Sequence, residues 1–119
     1  MSDEQAQVKA AKTAAFYGLL YYFPRALAEV AKVSMFGAGK HKVPLTDRGF
    51  LSDKYPLPMF DDAEVRHILA RAVEGEVNKE DGNMLHRAQA AWNALAGLEK
   101  LLILLEEHEK GKLKEGEEG

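Results

Sequence analysis

Apolar positions recur along the chain at helical spacing, and the runs are closed by proline, glycine or acidic caps. Val8, Ala11, Ala15, Leu19 and Tyr22 fall three and four residues apart and predict a helix over residues 3–22. Asp3 and Glu4 suit the dipole at its start. Pro24 ends that helix or opens the next, because proline is tolerated in a first turn and not in an interior. A second helix is predicted from Arg25 to Phe36, with Gly37 and Gly39 as its left-handed stop. Asp61 or Asp62 is a good N-cap for a third, running to Val73, and the last extends from Gly82 to Glu109. The stretch Lys40–Phe60 holds Pro44, Pro56, Pro58 and Gly49 with no sustained period, and reads as an ordered loop. Such a length suits a lid over a binding site, or equally a surface connection pinned by Phe50, Tyr55 and Phe60. Glu74–Gly82 reads as a polar loop, and strands are not expected. The fold class is all-α: a four-helix bundle in one domain over residues 1–110, followed by a charged, glycine-rich tail, 111–119, expected to be disordered.

The pattern is least ordinary in the third and fourth helices. His86, Gln89 and Asn93 lie at i, i+3 and i+7 and line up along one side, a line continued by the small residues Ala90 and Gly97. Leu85, Ala88, Trp92, Leu95, Leu98 and Leu102 occupy the other sides as a core surface. Leu101–Leu105 is apolar all the way round, and a helix of that kind must be covered on every side. Three other helices of one 119-residue chain cannot cover it, so a homo-oligomer, dimer or tetramer, is expected.

Composition narrows the class. The net charge of -3 is mixed in sign, with many of the surplus acids in Glu106–Glu118. No basic stripe with interleaved aromatics points to nucleic acid. The chain has no cysteine, which rules out a disulfide framework, a thiolate zinc site and a cysteine nucleophile, and is compatible with a reducing cytoplasm, the expected location. The most apolar run, Ala14–Phe23, has ten residues, well short of the roughly 20 needed to span a membrane. It also lacks the flanks of a signal peptide.

Candidate chemistry gathers at a few places. Glu29 projects near Lys32 from a mostly apolar helix, as a ligand of a hard cation or as a solvated surface residue. Asp62 and Arg66 are one turn apart beside His67, which suits a polar site as well as an N-cap with an i, i+4 ion pair. The stripe of His86, Gln89 and Asn93 needs partners if buried, whether a ligand or an interhelical network. Lys40, His41 and Lys42 follow the glycines, where lysine meets phosphate as a point charge or simply favours the helix dipole. There is no Walker loop, dinucleotide-binding glycine pattern, zinc signature or nucleophile elbow.

These residues carry a resemblance. Phe23-Pro24, Leu27, Glu29-Val30-Ala31-Lys32-Val33, Phe36-Gly37-Ala38 and Lys40-His41 come first. Asp62-Ala63, Arg66-His67, Leu69-Ala70, Gly75-Glu76 and Glu80-Asp81-Gly82 follow, then His86, Ala88, Ala90-Ala91-Trp92-Asn93 and Leu95. In this order the chain resembles a family of small, mostly phage-encoded dATP/dGTP diphosphohydrolases, similar to the MazG-type all-α nucleoside triphosphate pyrophosphohydrolases. Gln89 stands where that family has a second histidine, His41 where it has a tyrosine, and Lys32 where the MazG pattern has a second carboxylate.

The resemblance implies cleavage of a purine deoxynucleoside triphosphate between its α and β phosphates, with a magnesium or manganese ion activating water. On it, Glu29 and Asp62 are the expected metal ligands, with Glu80 or Asp81 a further candidate. Lys32, Lys40 and Arg66 are expected on phosphate oxygens, with His67 beside them, while His86 and Asn93 orient water, sugar or base. The competing expectation is a non-catalytic bundle that binds nucleotide or a partner subunit, having lost part of the metal site. A purely structural oligomeric bundle is the third.

Overall fold

Helix α1 (Pro24–His41) begins where proline dictates. Phe23, just before it, leaves the helical region (φ -129°, ψ 46°), as the ring of a following proline requires. Upstream, Phe16–Leu20 forms a wide π-type turn closed by Tyr21 N–H donating to Phe16 O at 2.8 Å. The computed structural model describes residues 14–118, with side chains to 112. The helix expected over 3–22 is therefore helical in its described part up to Leu20, and residues 3–13 lie outside it.

Gly37 and Gly39 do not stop α1, in contrast to the sequence expectation. Each costs a helix interior up to about 1 kcal/mol, too little to end it. The stop comes from Pro44, which forces Val43 out of the helical region, and from Lys42, which takes the left-handed conformation (φ 56°) with its N–H on Ala38 and Gly39 carbonyls. The following loop, 42–56, contains two single 3-10 turns, Leu45–Asp47 and Gly49–Leu51.

Helix α2 (Leu57–Glu74) starts four residues before Asp61, with Pro56 as N-cap and Pro58 in its first turn. Asp61 and Asp62 are thus in the second turn and cap nothing, and no ion pair joins Asp62 to Arg66. Gly75 (φ 93°) closes the helix with its N–H on Arg71 O at 3.0 Å. The segment expected as a plain polar loop contains a short strand, β1 (Val77–Asn78), and the stretch expected to open the last helix contains another, β2 (Met84–Leu85). They are antiparallel, with Val77 opposite Leu85 and Asn78 opposite Met84. Gly82 and Asn83 turn the chain between them with positive φ, which glycine and asparagine adopt most readily. This pairing delays α3 (His86–Glu118), which starts four residues later than expected. Its backbone is helical to Glu118.

α2 packs along α3, and α1 meets α3 at Trp92. α2 lies over Gly97: a Cβ there would meet Phe60 Cβ at 3.6 Å and Leu57 Cδ1 at 3.8 Å, ordinary contact distances. Among the described residues the buried apolar side chains are Phe60, Ala88, Ala90 and Ala96, and the buried polar ones are Asn78, His86, Gln89 and Asn93. The polar stripe of α3 therefore faces inward. Leu95, Leu98 and Leu102, expected as core, face outward at 47%, 52% and 47% exposure.

The chain is accordingly extended. Its radius of gyration is 17.7 Å, against roughly 13 Å for a compact domain of this size. Its accessible surface is 9378 Å², against roughly 6,400 Å² for a folded monomer of 13.2 kDa. No helix among the described residues is long and apolar enough to cross a membrane.

Candidate functional site

Where α1 ends, the loop 42–56 folds back over α3 and leaves a cavity of about 520 Å³. Three side chains make its apolar wall. Trp92 meets Phe50 edge-on at a centroid distance of 5.6 Å and Phe60 at 6.4 Å, and Phe50 and Phe60 are 6.4 Å apart. The indole is fixed by its N–H, which donates to Ser34 Oγ of α1 at 2.7 Å, so it cannot rotate without losing that bond. Lys40, His41, Arg48 and Lys54 bring cationic or protonatable groups to the same cavity from α1 and the loop.

The polar side is built by the hairpin and α3. The Asn78 amide donates to Gln89 Oε1 at 3.0 Å and to Asp81 Oδ2 at 3.3 Å, and Gln89 Nε2–H donates to the same oxygen at 3.1 Å. Asp81 is thereby held at the cavity wall, with Lys40 Nζ 3.7 Å from its Oδ1. Asn93 anchors itself by donating to the Gln89 carbonyl at 2.8 Å. Every buried side-chain polar atom among the described residues has a partner. This completeness makes the network rigid, since a half-satisfied one would cost more than an apolar core.

His67 lines the cavity from α2 and meets His86 behind it, Nδ1 to Nδ1 at 3.1 Å. His86 is 2% exposed, and its Nε2 is paired with the Glu74 carboxylate, which is half exposed at the protein surface. Burial is the main cause that lowers the His67 pKa below its usual value. The neighbouring His86 and Arg66 add to this, and Asp81 opposes it. His67 is therefore neutral at neutral pH and has a lone pair to offer. At the outer edge Glu76 accepts from Arg87 at 3.0 Å, which lowers the glutamate pKa and raises that of the arginine.

The chain matches the family described as dATP/dGTP diphosphohydrolase, N-terminal, over residues 3–111. The chain belongs to that family. Its name places the protein among hydrolases of nucleotide metabolism and implies a nucleotide substrate. No protein of curated function and no solved structure matches the chain.

Within this family member the expected site residues separate into two groups. Lys40, His67, Asn93 and Asp81 line the cavity, and His86 stands behind His67. Glu29, Lys32, Asp62, Arg66 and Glu80 do not line it. Glu29 is turned to its neighbour Lys32 at 2.7 Å, and lies 11 positions before Lys40, roughly 16 Å along the helix. On α2 the inward stripe is Phe60, Ala63, Glu64 and His67, which leaves Asp62 and Arg66 exposed on the other side. Among the described residues no cluster of three or more histidine, aspartate or glutamate side chains is placed to hold a metal ion. The set Glu29, Asp62 and Glu80 is thus not gathered within one chain.

Lys100 is a site residue that the sequence reading missed. From α3 its ammonium donates to the carbonyls of Phe50 (3.4 Å), Ser52 (2.8 Å) and Tyr55, and lies 5.7 Å from the centre of the Phe60 ring. It pins the loop that roofs the cavity. The sequence carried no signal of it: Lys100 follows Glu99 and precedes the apolar run Leu101–Leu105, as a solvated residue would. Lys100→Met keeps the stem and removes the three bonds. We expect nucleotide affinity to fall about tenfold or more, from three charge-assisted bonds to a loop that must then order on binding. Titration calorimetry reads this directly, and unchanged affinity would show that the loop holds without Lys100.

Proposed function

We propose that the protein is a nucleoside triphosphate pyrophosphohydrolase acting on purine deoxynucleotides such as dATP and dGTP. The observation that carries this reading is one cavity with two chemistries. An aromatic wall of Trp92, Phe50 and Phe60 suits a planar purine, and Lys40, Arg48 and Lys54 at the same cavity suit a polyphosphate. Water attacks the α-phosphorus, the bond to the bridging oxygen breaks, and monophosphate and pyrophosphate leave. The cationic side chains offset the charge that spreads over the phosphate oxygens. Asn93 and Asp81 line the same cavity, and in this reading they meet the sugar or the base edge.

Among the described residues of one chain the carboxylates expected to hold a magnesium or manganese ion are not gathered into a ligand set. The outward leucines of α3 favour a homo-oligomer, dimer or tetramer, as the working form.

The separation of Glu29 and Asp62 from the cavity favours a second reading, a non-catalytic nucleotide-binding bundle. One assay separates the two. Pyrophosphate release is measured over a panel of ribo- and deoxynucleoside triphosphates, with magnesium, with manganese and with chelator, and the products are identified by chromatography. Monophosphate plus pyrophosphate, fastest from dATP or dGTP, is the expected result. A nucleotide-dependent thermal shift without turnover would establish the binding reading instead, and neither signal would leave a structural bundle.

A further inference from the structure

His67, His86 and Glu74 form an unbroken chain from the cavity to the protein surface. Only the first and last links are reachable. His67 lines the cavity, His86 is fully enclosed, and Glu74 is half exposed. The two imidazoles face each other through like atoms, Nδ1 to Nδ1 at 3.1 Å, so one must donate and the other accept. For the neutral pair the carboxylate decides: with Glu74 accepting from His86 Nε2–H, His86 has its lone pair on Nδ1, and His67 places its hydrogen on Nδ1. The His67 Nε2 lone pair is then left over, and that nitrogen makes no hydrogen bond among the described residues.

The geometry points to a proton relay in which His67 takes a proton from the attacking water and passes charge through His86 to Glu74 and solvent. This rests on the hydrolysis proposed above, which deprotonates a water at the α-phosphorus. Each hop keeps its atoms in balance. The water proton bonds to His67 Nε2, the His67 Nδ1 hydrogen moves to His86 Nδ1, the His86 Nε2 hydrogen moves to a Glu74 oxygen, and Glu74 releases it to bulk water. Passage in the reverse direction, from solvent through Glu74 to the departing product, restores the starting tautomers. The arrangement relieves His67 of holding a full positive charge beside Arg66 in a partly dry site, where its neutral form is already favoured. Asp81 faces His67 from the hairpin, and Glu76 sits beyond His86, whose backbone N–H donates to the Glu76 carbonyl at 2.7 Å. Neither carboxylate bonds an imidazole, so Glu74 is the one exit.

A structural role for Glu74 and a relay role make opposite demands on one substitution. Glu74→Gln keeps an acceptor for His86 Nε2–H and cannot take up the proton. We expect kcat to fall about tenfold with KM changed less than about twofold, from the part that positioned proton transfer plays in such reactions. Glu74→Ala should lose as much and regain it with added formate, which supplies the missing carboxylate. The wild-type protein provides a measurement free of any variant: nitrogen-15 shifts of the imidazoles near neutral pH should show His67 as the Nδ1–H tautomer and His86 as the Nε2–H tautomer. Full activity in Glu74→Gln, a loss confined to KM, no recovery of Glu74→Ala with formate, or the opposite tautomers would each overturn the relay while leaving the hydrolysis standing. Absence of pyrophosphate release from the wild-type protein would remove the hydrolysis and the relay together.

Discussion

Trp92→Ala should lower the stability of the folded chain by about 3–5 kcal/mol, the usual cost of truncating a packed tryptophan. The value matters against a total of about 5–15 kcal/mol for a typical domain. The indole is the piece at which three elements meet: Phe50 of the loop, Phe60 of α2 and Ser34 of α1 all touch it. The buried apolar side chains beside it on α3 are alanines, too small to collapse into the space left behind. Trp92→Phe should be much milder, about 1 kcal/mol, because the ring contacts persist and the Ser34 hydroxyl loses one partner. Urea unfolding of the two variants checks both values through the midpoint. A loss below about 1 kcal/mol for the alanine variant would show that the junction is not centred on Trp92.

The second large effect concerns assembly. Leu98, Leu101, Leu102 and Leu105 fall at i, i+3, i+4 and i+7 on α3, and all four are between about two-fifths and one-half exposed in one chain. Leu101→Lys with Leu105→Lys places two charges on that stripe. Each leucine is worth about 1.5–3 kcal/mol when covered, so the pair should weaken self-association by roughly 10²-fold or more. Sedimentation of the wild-type chain at micromolar concentration should show an oligomer and the double variant a monomer. A wild-type monomer would mean that the leucines are covered in some other way.

The helices were legible because their evidence is local. Apolar spacing and Pro24 located α1, and a polar line on an apolar helix located the inward face of α3. What failed was local evidence that was outweighed. Gly37 and Gly39 read as a stop, but the conformation that ends α1 is set by Pro44, five residues beyond the last of them. Asp61 and Asp62 read as caps, yet Pro56 and Pro58 had already begun α2. The hairpin was missed because each strand is two residues long, below any period that a sequence can display.

Of the expected site residues, Lys40, His67 and Asn93 line the cavity with His86 behind them, and the carboxylates Glu29 and Asp62 are not brought to it. Spacing along one helix fixes the face but not which neighbour that face meets. Lys100 and Glu74 act across 45 to 50 and 12 residues of sequence respectively, distances at which no periodicity reports contact.

The same turns of α3 carry Lys100 on one side and the leucine stripe on the other. Whatever steadies that stretch of helix also steadies the roof of the cavity, because the ammonium reaches the loop directly. Covering the leucine face would therefore steady the cavity roof as well, because the cation that holds the loop and the stripe that asks for a cover belong to one stretch of helix.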